Sequence, residues 1–511
     1  MQHTTAARAS DSAASLAPPG AAVVDTRSEL TRVIEIVQTI LTGLVLAFIF
    51  RAFAVEPFII PTGSMADSLL GAHATRSCPA CGWEFDFAPL RASSPAGHDF
   101  VVPPEVLCPN CQLHLSAGPE NTVPKAGDRI LVHKWPTVIG GVLRPQRWDV
   151  LVFRDPADPD QHYIKRVVGL PGEAVQIIDG DVYIDGHVAR KPPAVQRVLW
   201  FVVFDQAHVP RPGADSARWP RWSPIDPPAE PGRGWSGLDS RVLRYDGPDA
   251  IERRITFNGD AAPEYLQDLY AHNRRSTNTF VGDVRLRCEV TFEAGAGYCR
   301  LELLRPPDRF VAELRADGLR RLRIEQPERP GRPAVEYVAR ARAMSPARPV
   351  SVEFGHVDRR VYLNVDGTPL LATTDADYDG DADALRNRPR DQPVGVSIAA
   401  CDLRASFRRV RIDRDVHYLC RRGQAVRACE GDPFLLRSGE YFVLGDNSPD
   451  SHDGREWTEA GPHLPPDYRP GTVPAGQIVG RAAFVYLPGL LPLDEHGRWF
   501  VPDIGRMRFV R

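Results

Sequence analysis

Ser64 stands in Phe58-Ile59-Ile60-Pro61-Thr62-Gly63-Ser64-Met65, a single serine between apolar neighbours after a small, flexible Thr-Gly lead-in. A serine hydroxyl is a weak nucleophile and needs an adjacent base. No Asp-His pair of the usual triad kind is evident near it in sequence, so the base must be of another type. Tyr163-Ile164-Lys165-Arg166 supplies the candidate. Lysine is a base only when neutral, and burial against apolar groups lowers its pKa toward working pH. Ile164 before Lys165 and Val167-Val168 after it provide such flanks. On a strand Lys165 would extend into a dry site while Arg166 points to the opposite face. Taken alone, a serine and a lysine are surface residues far more often than a dyad, so the surrounding words decide.

A second constellation is Cys78-Pro-Ala-Cys81 with Cys108-Pro-Asn-Cys111. Two Cys-x-x-Cys knuckles offer four thiolates for a tetrahedral zinc, as in zinc ribbons. The gap, residues 82 to 107, is longer than usual, so its Gly/Pro/Ser-rich residues would bulge as a loop. A pair of disulfides, or free thiols without metal, competes with zinc, the disulfides gaining weight in an oxidising compartment. Cys288, Cys299, Cys401, Cys420 and Cys429 are scattered.

The elements that must position these groups are mostly strands. The 511 residues exceed one typical core and imply three or so domains. The 48 prolines and 41 glycines favour short strands and many turns. A net charge of −3 argues against a nucleic-acid partner. Residues 1–28 read as a disordered tail. Residues 29–54 hold the membrane candidate, whose uncharged run spans Ile36 to Phe50. A buried core helix and a signal peptide cleaved after Ala52-Phe53-Ala54 are the competing readings, and an uncleaved anchor is favoured. The serine stretch follows within a few residues. Strands then run from Gly127 to Gly186, closed by Pro-Gly and Asp-Gly turns. Residues 194–247 read as a Pro/Trp-rich linker. Residues 248–414 alternate apolar and polar positions, as in Val284–Phe292, over many short strands, which argues for a β-sandwich. That region resembles concanavalin-like or laminin-G-like jelly rolls; it carries no clear sugar or calcium cluster, and its ligand is unknown. The first pattern resumes near Tyr418 and reaches Gly445-Asp446-Asn447-Ser448-Pro449-Asp450-Ser451-His452-Asp453-Gly454-Arg455.

Phe58 to Met65, Gly127-Asp128-Arg129, Tyr163 to Gly172 and Gly445 to Arg455 resemble the ordered boxes of bacterial type I signal peptidases. The resemblance covers Ile34–Gly71, Val123–Pro192 and Leu436–Pro488, under half the chain. It implies a catalytic β domain over residues 55–77, 121–193 and 415–492 and one N-terminal transmembrane helix; the zinc-ribbon-like insertion at 78–120 and the inserted sandwich lie outside the family's common pattern, and the whole reads as a mainly β fold. It implies that Ser64 is the nucleophile and Lys165 the general base. Thr62 would share the oxyanion hole with the Ser64 N–H, and Ser451 would orient the lysine. Phe58, Ile60, Val152 and Ile164 would line shallow pockets for Ala-x-Ala. Arg166, Asp453 and Arg455 would form a structural ion-pair group. No cofactor is implied for catalysis; the structural zinc at Cys78, Cys81, Cys108 and Cys111 rests on the Cys-x-x-Cys spacing and not on the resemblance. The partners implied are signal peptides of secreted pre-proteins and the lipid of the cytoplasmic membrane, with the tail inside and the catalytic domain outside. Two departures stand out: Ala66-Asp67-Ser68 follows Met65 where the family has Pro-Thr-Leu, and Ser448-Pro449 replaces Arg-Asp. A repressor-type self-cleaving regulator and a catalytically silent scaffold are the alternatives; the first predicts a helix-turn-helix and the second the loss of Ser64 or Lys165, and neither is seen.

Overall fold

The computed structural model describes residues 29–511 except 95–96, 102, 104, 117–124, 135–143, 215–218, 226–231, 259–266, 270–275, 327–333, 379–392, 421–425 and 493–499. The expected tail, 1–28, lies outside the described residues. Two units are present, Met1–Ala54 and Val55–Arg511. The first contributes one helix, Glu29–Phe53, of 25 residues. At 1.5 Å per residue it is about 37 Å long, more than the ~30 Å of a bilayer's hydrocarbon core. Its stretch Thr31–Phe48 has a mean hydropathy of 1.6.

The second unit is mainly β. Its first sheet is antiparallel, in the order Val55–Ile59, Arg129–His133, Ile478–Leu487, Val150–Arg154, His162–Gly169, Glu440–Leu444, Val473–Pro474. The central strands are apolar on both faces because each face has its own core. Ile60, Met65, Ile130, Val150, Val152 and Ile164 gather on one side. Leu151, Phe153, Val167, Tyr441, Val443 and Trp457 gather on the other. A second sheet joins Ala174–Ile178, Asp181–Ile184, His187–Val188 and Phe434–Leu435. Both sheets therefore use strands from either side of the sandwich in sequence.

The sandwich is organised by two long strands, Val284–Arg305 and Gly395–Arg414, which pair with one another along their length. Sequence alternation suggests several short strands here. Instead, bulges between Phe292 and Tyr298 bend one continuous strand from one layer into the other. Before the bend it pairs with Val350–Val357, and after it with Asp308–Arg315. Leu286, Val290, Leu301, Phe310, Leu322 and Phe354 are among the side chains of the core between the layers. The linker expected over 194–247 is corrected: Phe201–Asp205 and Val242–Gly247 both pair with Gly395–Arg414 and extend the sandwich. Its prolines and tryptophans hide strands too short to show a period. The loop expected between the cysteine pairs is likewise a hairpin, Leu90–Ser94 with Gly97–Val101.

A buried ionic seam joins the sandwich to the second sheet. Arg305 pairs with Asp283 at 3.2 Å and also with Asp179. Lys191 pairs with Asp415 at 2.8 Å and with Asp358. The seam gathers Asp181, Asp283 and Asp358, whose carboxylate oxygens lie within 4.8 Å of one another. No motif in the sequence announces this cluster, since its members come from three distant segments.

Candidate active site

Ser64 occupies a short 3-10 turn, Gly63–Met65, that follows the edge strand Val55–Ile59. Two close approaches set that turn. A Cβ on Gly127 would lie 1.8 Å from the Ile60 carbonyl oxygen, so only glycine fits there. A Cβ on Gly445 would lie 2.2 Å from the Ser451 hydroxyl and 2.5 Å from the Ser64 carbonyl oxygen. The turn is also held by hydrogen bonds. The Asn447 N–H donates to the Ser64 carbonyl at 3.0 Å, and its side-chain amide donates to the Gly63 carbonyl at 3.0 Å. The Ile60 N–H donates to the Asp128 carbonyl at 3.0 Å, and the Asp128 carboxylate accepts from the Leu70 N–H at 3.0 Å.

Lys165 lies on the central strand His162–Gly169, opposite Leu151. The pleat sends it to the face of Leu151 and Val167, and sends Ile164 and Arg166 to the other. Its Nζ is 2.6 Å from the Ser64 Oγ, and both residues are about 95% buried, at 4% and 5% exposure. The contact spans 101 residues of sequence. Burial pushes the lysine pKa down to about 8, against the opposing pull of the Asp453 carboxylate. Near neutrality a usable fraction of this amine is unprotonated, the condition for a base.

Asp453 is held by Arg455 through two hydrogen bonds of 2.8 Å. Burial alone would raise the Asp453 carboxyl, but the Arg455 guanidinium outweighs it and holds the group below the usual range. Ser451 is buried, and its hydroxyl donates to Asp453 at 2.8 Å. Among the described residues Lys165 hydrogen-bonds to Ser64 alone, so Ser451 bears on the lysine through Asp453. Arg166 is not part of this group. It makes a bidentate pair with Asp446, both bonds 2.7 Å, and donates to the Trp148 carbonyl at 2.8 Å. Sequence reading grouped Arg166 with Asp453 and Arg455; the pleat separates them, because Lys165 and Arg166 must face opposite ways.

Thr62 is extended and exposed, and its side chain makes no capping hydrogen bond. Phe58, Ile60, Val152 and Ile164 join one apolar cluster with Met65. Ile60, Val152 and Ile164 are buried, and Phe58 is half-buried against them. The two departures find physical places. Ala66 is buried, Asp67 is exposed, and the Ser68 hydroxyl sits between the Met65 carbonyl at 2.7 Å and the Asp446 carboxylate. Ser448 accepts from Arg455 Nη1 at 2.9 Å and from the Leu419 N–H at 2.7 Å. Asp446, Asn447, Ser68 and Asp128 carry supporting roles that sequence reading missed. Asp446, Asn447 and Asp128 lie inside the motifs themselves, and Ser68 in the departure that follows Met65.

The four cysteines form a separate buried cluster. Cys78 and Cys111 sulfurs are 3.6 Å apart, and Cys81 and Cys108 sulfurs 3.7 Å. A disulfide needs ~2.05 Å, whereas a tetrahedron with Zn–S bonds of ~2.3 Å has edges of about 3.8 Å. The donor set and its spacing therefore fit a four-coordinate ion. Each knuckle closes a hairpin in the same way: the Cys78 N–H donates to the Trp83 carbonyl at 2.8 Å, and the Cys108 N–H to the Leu113 carbonyl at 3.0 Å. Cys420 and Cys429, scattered in the sequence, are joined in a disulfide.

The family model described as signal peptidase, peptidase S26, matches residues 111–198 and 351–487. Signal peptidase I of Pseudomonas fluorescens is 29% identical over 188 residues, 35% of this chain and 47% of that protein. Over these segments the chain is similar to the signal peptidase family. Signal peptidase I of Rickettsia prowazekii is 29% identical over 140 residues, 27% of this chain and 39% of the relative. The chain thus spans less than half the length of the curated relatives it matches. The family-model segments contain Lys165, Ser451, Asp453 and Arg455, while Ser64 precedes them. Among solved structures, the carbohydrate binding module CBM66 from Bacillus subtilis overlaps 38% of this chain and 95% of its own length, at 11% identity and a TM-score of 0.24. A score that low carries nothing about ligands.

Proposed function

We propose that this chain is a member of the signal peptidase family and a membrane-anchored serine endopeptidase that removes N-terminal signal peptides from exported pre-proteins after Ala-x-Ala-like sites. The observation that carries the reading is the 2.6 Å approach of Lys165 Nζ to Ser64 Oγ in a buried setting. Neutral Lys165 takes the Ser64 proton as Oγ attacks the scissile carbonyl. The Thr62 hydroxyl and the Ser64 N–H donate to the developing oxyanion, an interaction whose loss typically costs about 10²–10³ in rate. The lysine ammonium then gives its proton to the leaving amine. Lys165 next activates water to hydrolyse the acyl-enzyme, and no step calls for a cofactor. Ser451 and the Asp453–Arg455 pair hold the lysine's surroundings. Phe58, Ile60, Val152 and Ile164 form the apolar bed of the small-residue pockets, where overpacking disfavours larger side chains.

Helix Glu29–Phe53 is the anchor, and the catalytic unit lies on the outer face of the cytoplasmic membrane. The Cys420–Cys429 disulfide supports that side, since disulfides persist in oxidising compartments. A labelled pre-protein incubated with wild type and with Ser64→Ala tests the function. Cleavage at the Ala-x-Ala site by the wild type and none by Ser64→Ala is expected; equal cleavage by both removes Ser64 from the mechanism.

Cys78, Cys81, Cys108 and Cys111 hold one structural zinc on this reading. Metal analysis of the purified chain should find one zinc per molecule, released by a chelator with a fall in melting temperature. A chain with neither bound metal nor free thiols at these positions would reject it. Asn110, beside the fourth thiol, joins the cluster to the sandwich, donating to the His208 carbonyl at 3.0 Å and accepting from the Asp205 N–H at 2.8 Å. Metal loss would therefore loosen both.

A further inference from the structure

Arg320 breaks the pattern of its strand. On Leu319–Glu325 the side chains of Leu322 and Ile324 alternate into the sandwich core, and Arg320 shares their face. It is 1% exposed. Its guanidinium donates to the carbonyls of Arg315 and Leu319, each at 3.0 Å, to the Arg342 carbonyl at 3.2 Å, and to the Met344 sulfur at 3.1 Å. None of these partners carries a charge. Its Nε is buried without a hydrogen-bond partner, and no carboxylate among the described residues pairs with it. A buried guanidinium with no carboxylate hydrogen-bonded to it is costly, and the nearby Asp317 and Asp366 offset only part of its burial.

Arg320 lines a cavity of about 110 Å³, open to solvent, at one end of the sandwich. Val350 from one layer and Val365 from its neighbouring strand give it an apolar wall. Arg342 and Arg348 stand at the mouth, and the single acid there, Asp366, is paired with Arg348 at 2.8 Å. Three guanidiniums thus face one carboxylate. Both terminal nitrogens of Arg320 are committed, so it offers a ligand its Nε–H and its charge, and a carboxylate's second oxygen is left to the exposed Arg342 and Arg348; the apolar wall suits a body of carbon rather than a bare ion.

We propose that this end of the sandwich binds a small organic carboxylate, seated on Arg320 and closed in by Arg342 and Arg348. The site is separate from Ser64 and does not depend on the peptidase reading. Benzoate, its uncharged analogue benzyl alcohol and inorganic phosphate are suitable probes for titration calorimetry on the full chain in detergent. Saturable benzoate binding is expected, at least tenfold tighter than benzyl alcohol and tighter than phosphate, and abolished by Arg320→Met. Because Arg320 also ties main-chain carbonyls, the exposed Arg342→Ala is the companion variant. It should weaken benzoate several-fold, with melting temperature and precursor cleavage unchanged. Absence of saturable benzoate binding, equal binding of benzyl alcohol, stronger binding of phosphate, or full affinity in Arg342→Ala would each overturn the proposal.

Discussion

Lys165→Ala is expected to lower kcat/KM for an Ala-x-Ala pre-protein by about 10⁴-fold or more while the chain stays folded. General-base catalysis alone contributes about 10²–10⁴, and a nucleophile without its base behaves as though both were gone. Folding should survive because the substitution removes a buried amine whose only described hydrogen bond is to Ser64. Steady-state cleavage together with a thermal melt checks both halves. Near-wild-type turnover by the variant would remove Lys165 from the mechanism and send the search for the base elsewhere.

The second large effect is on stability. Asp446→Ala should destabilise the chain by roughly 3–5 kcal/mol, the usual consequence of leaving a buried charge unpaired. Arg166 would keep its place at 0% exposure with its bidentate acceptor gone. Ser68 would lose its carboxylate partner, and the loop after the nucleophile would loosen. Replacing both partners, as Arg166→Met with Asp446→Leu, should recover much of the loss, because an apolar pair leaves no orphaned charge. Denaturant unfolding of the single and double variants measures this. A double variant as unstable as Asp446→Ala would mean that the pair does more than neutralise itself.

The sequence words around Ser64, Lys165 and Asp453 are local, and local words are legible. Apolar flanks at Ile164 and Val167 announce a dry strand, and the two Cys-x-x-Cys pairs announce four converging thiols. What stayed hidden depends on register. Arg166 finds Asp446 because strands His162–Gly169 and Glu440–Leu444 pair with Arg166 opposite Leu444, two residues before its partner. Nothing in either segment alone states that register. The segment 194–247 reads as a linker for a related reason. Its strands are short and interrupted by Pro and Trp, and two of them, Phe201–Asp205 and Val242–Gly247, are tied into the sandwich by Gly395–Arg414, well over a hundred residues later. Asn447, which clamps the Ser64 turn, lies inside the Gly445–Arg455 motif, but its two hydrogen bonds to main-chain carbonyls have no signature in residue type.

The central claim is that a neutral lysine activates Ser64, and its most direct test is the pH dependence of kcat/KM for precursor cleavage by the wild-type chain. Burial lowers the Lys165 pKa to about 8, so the reactive unprotonated form increases as pH rises through that value. The account predicts a rate that climbs about tenfold per pH unit below 8 and levels above it. A profile flat from pH 6 to 9, or one that falls as the lysine loses its proton, would contradict it.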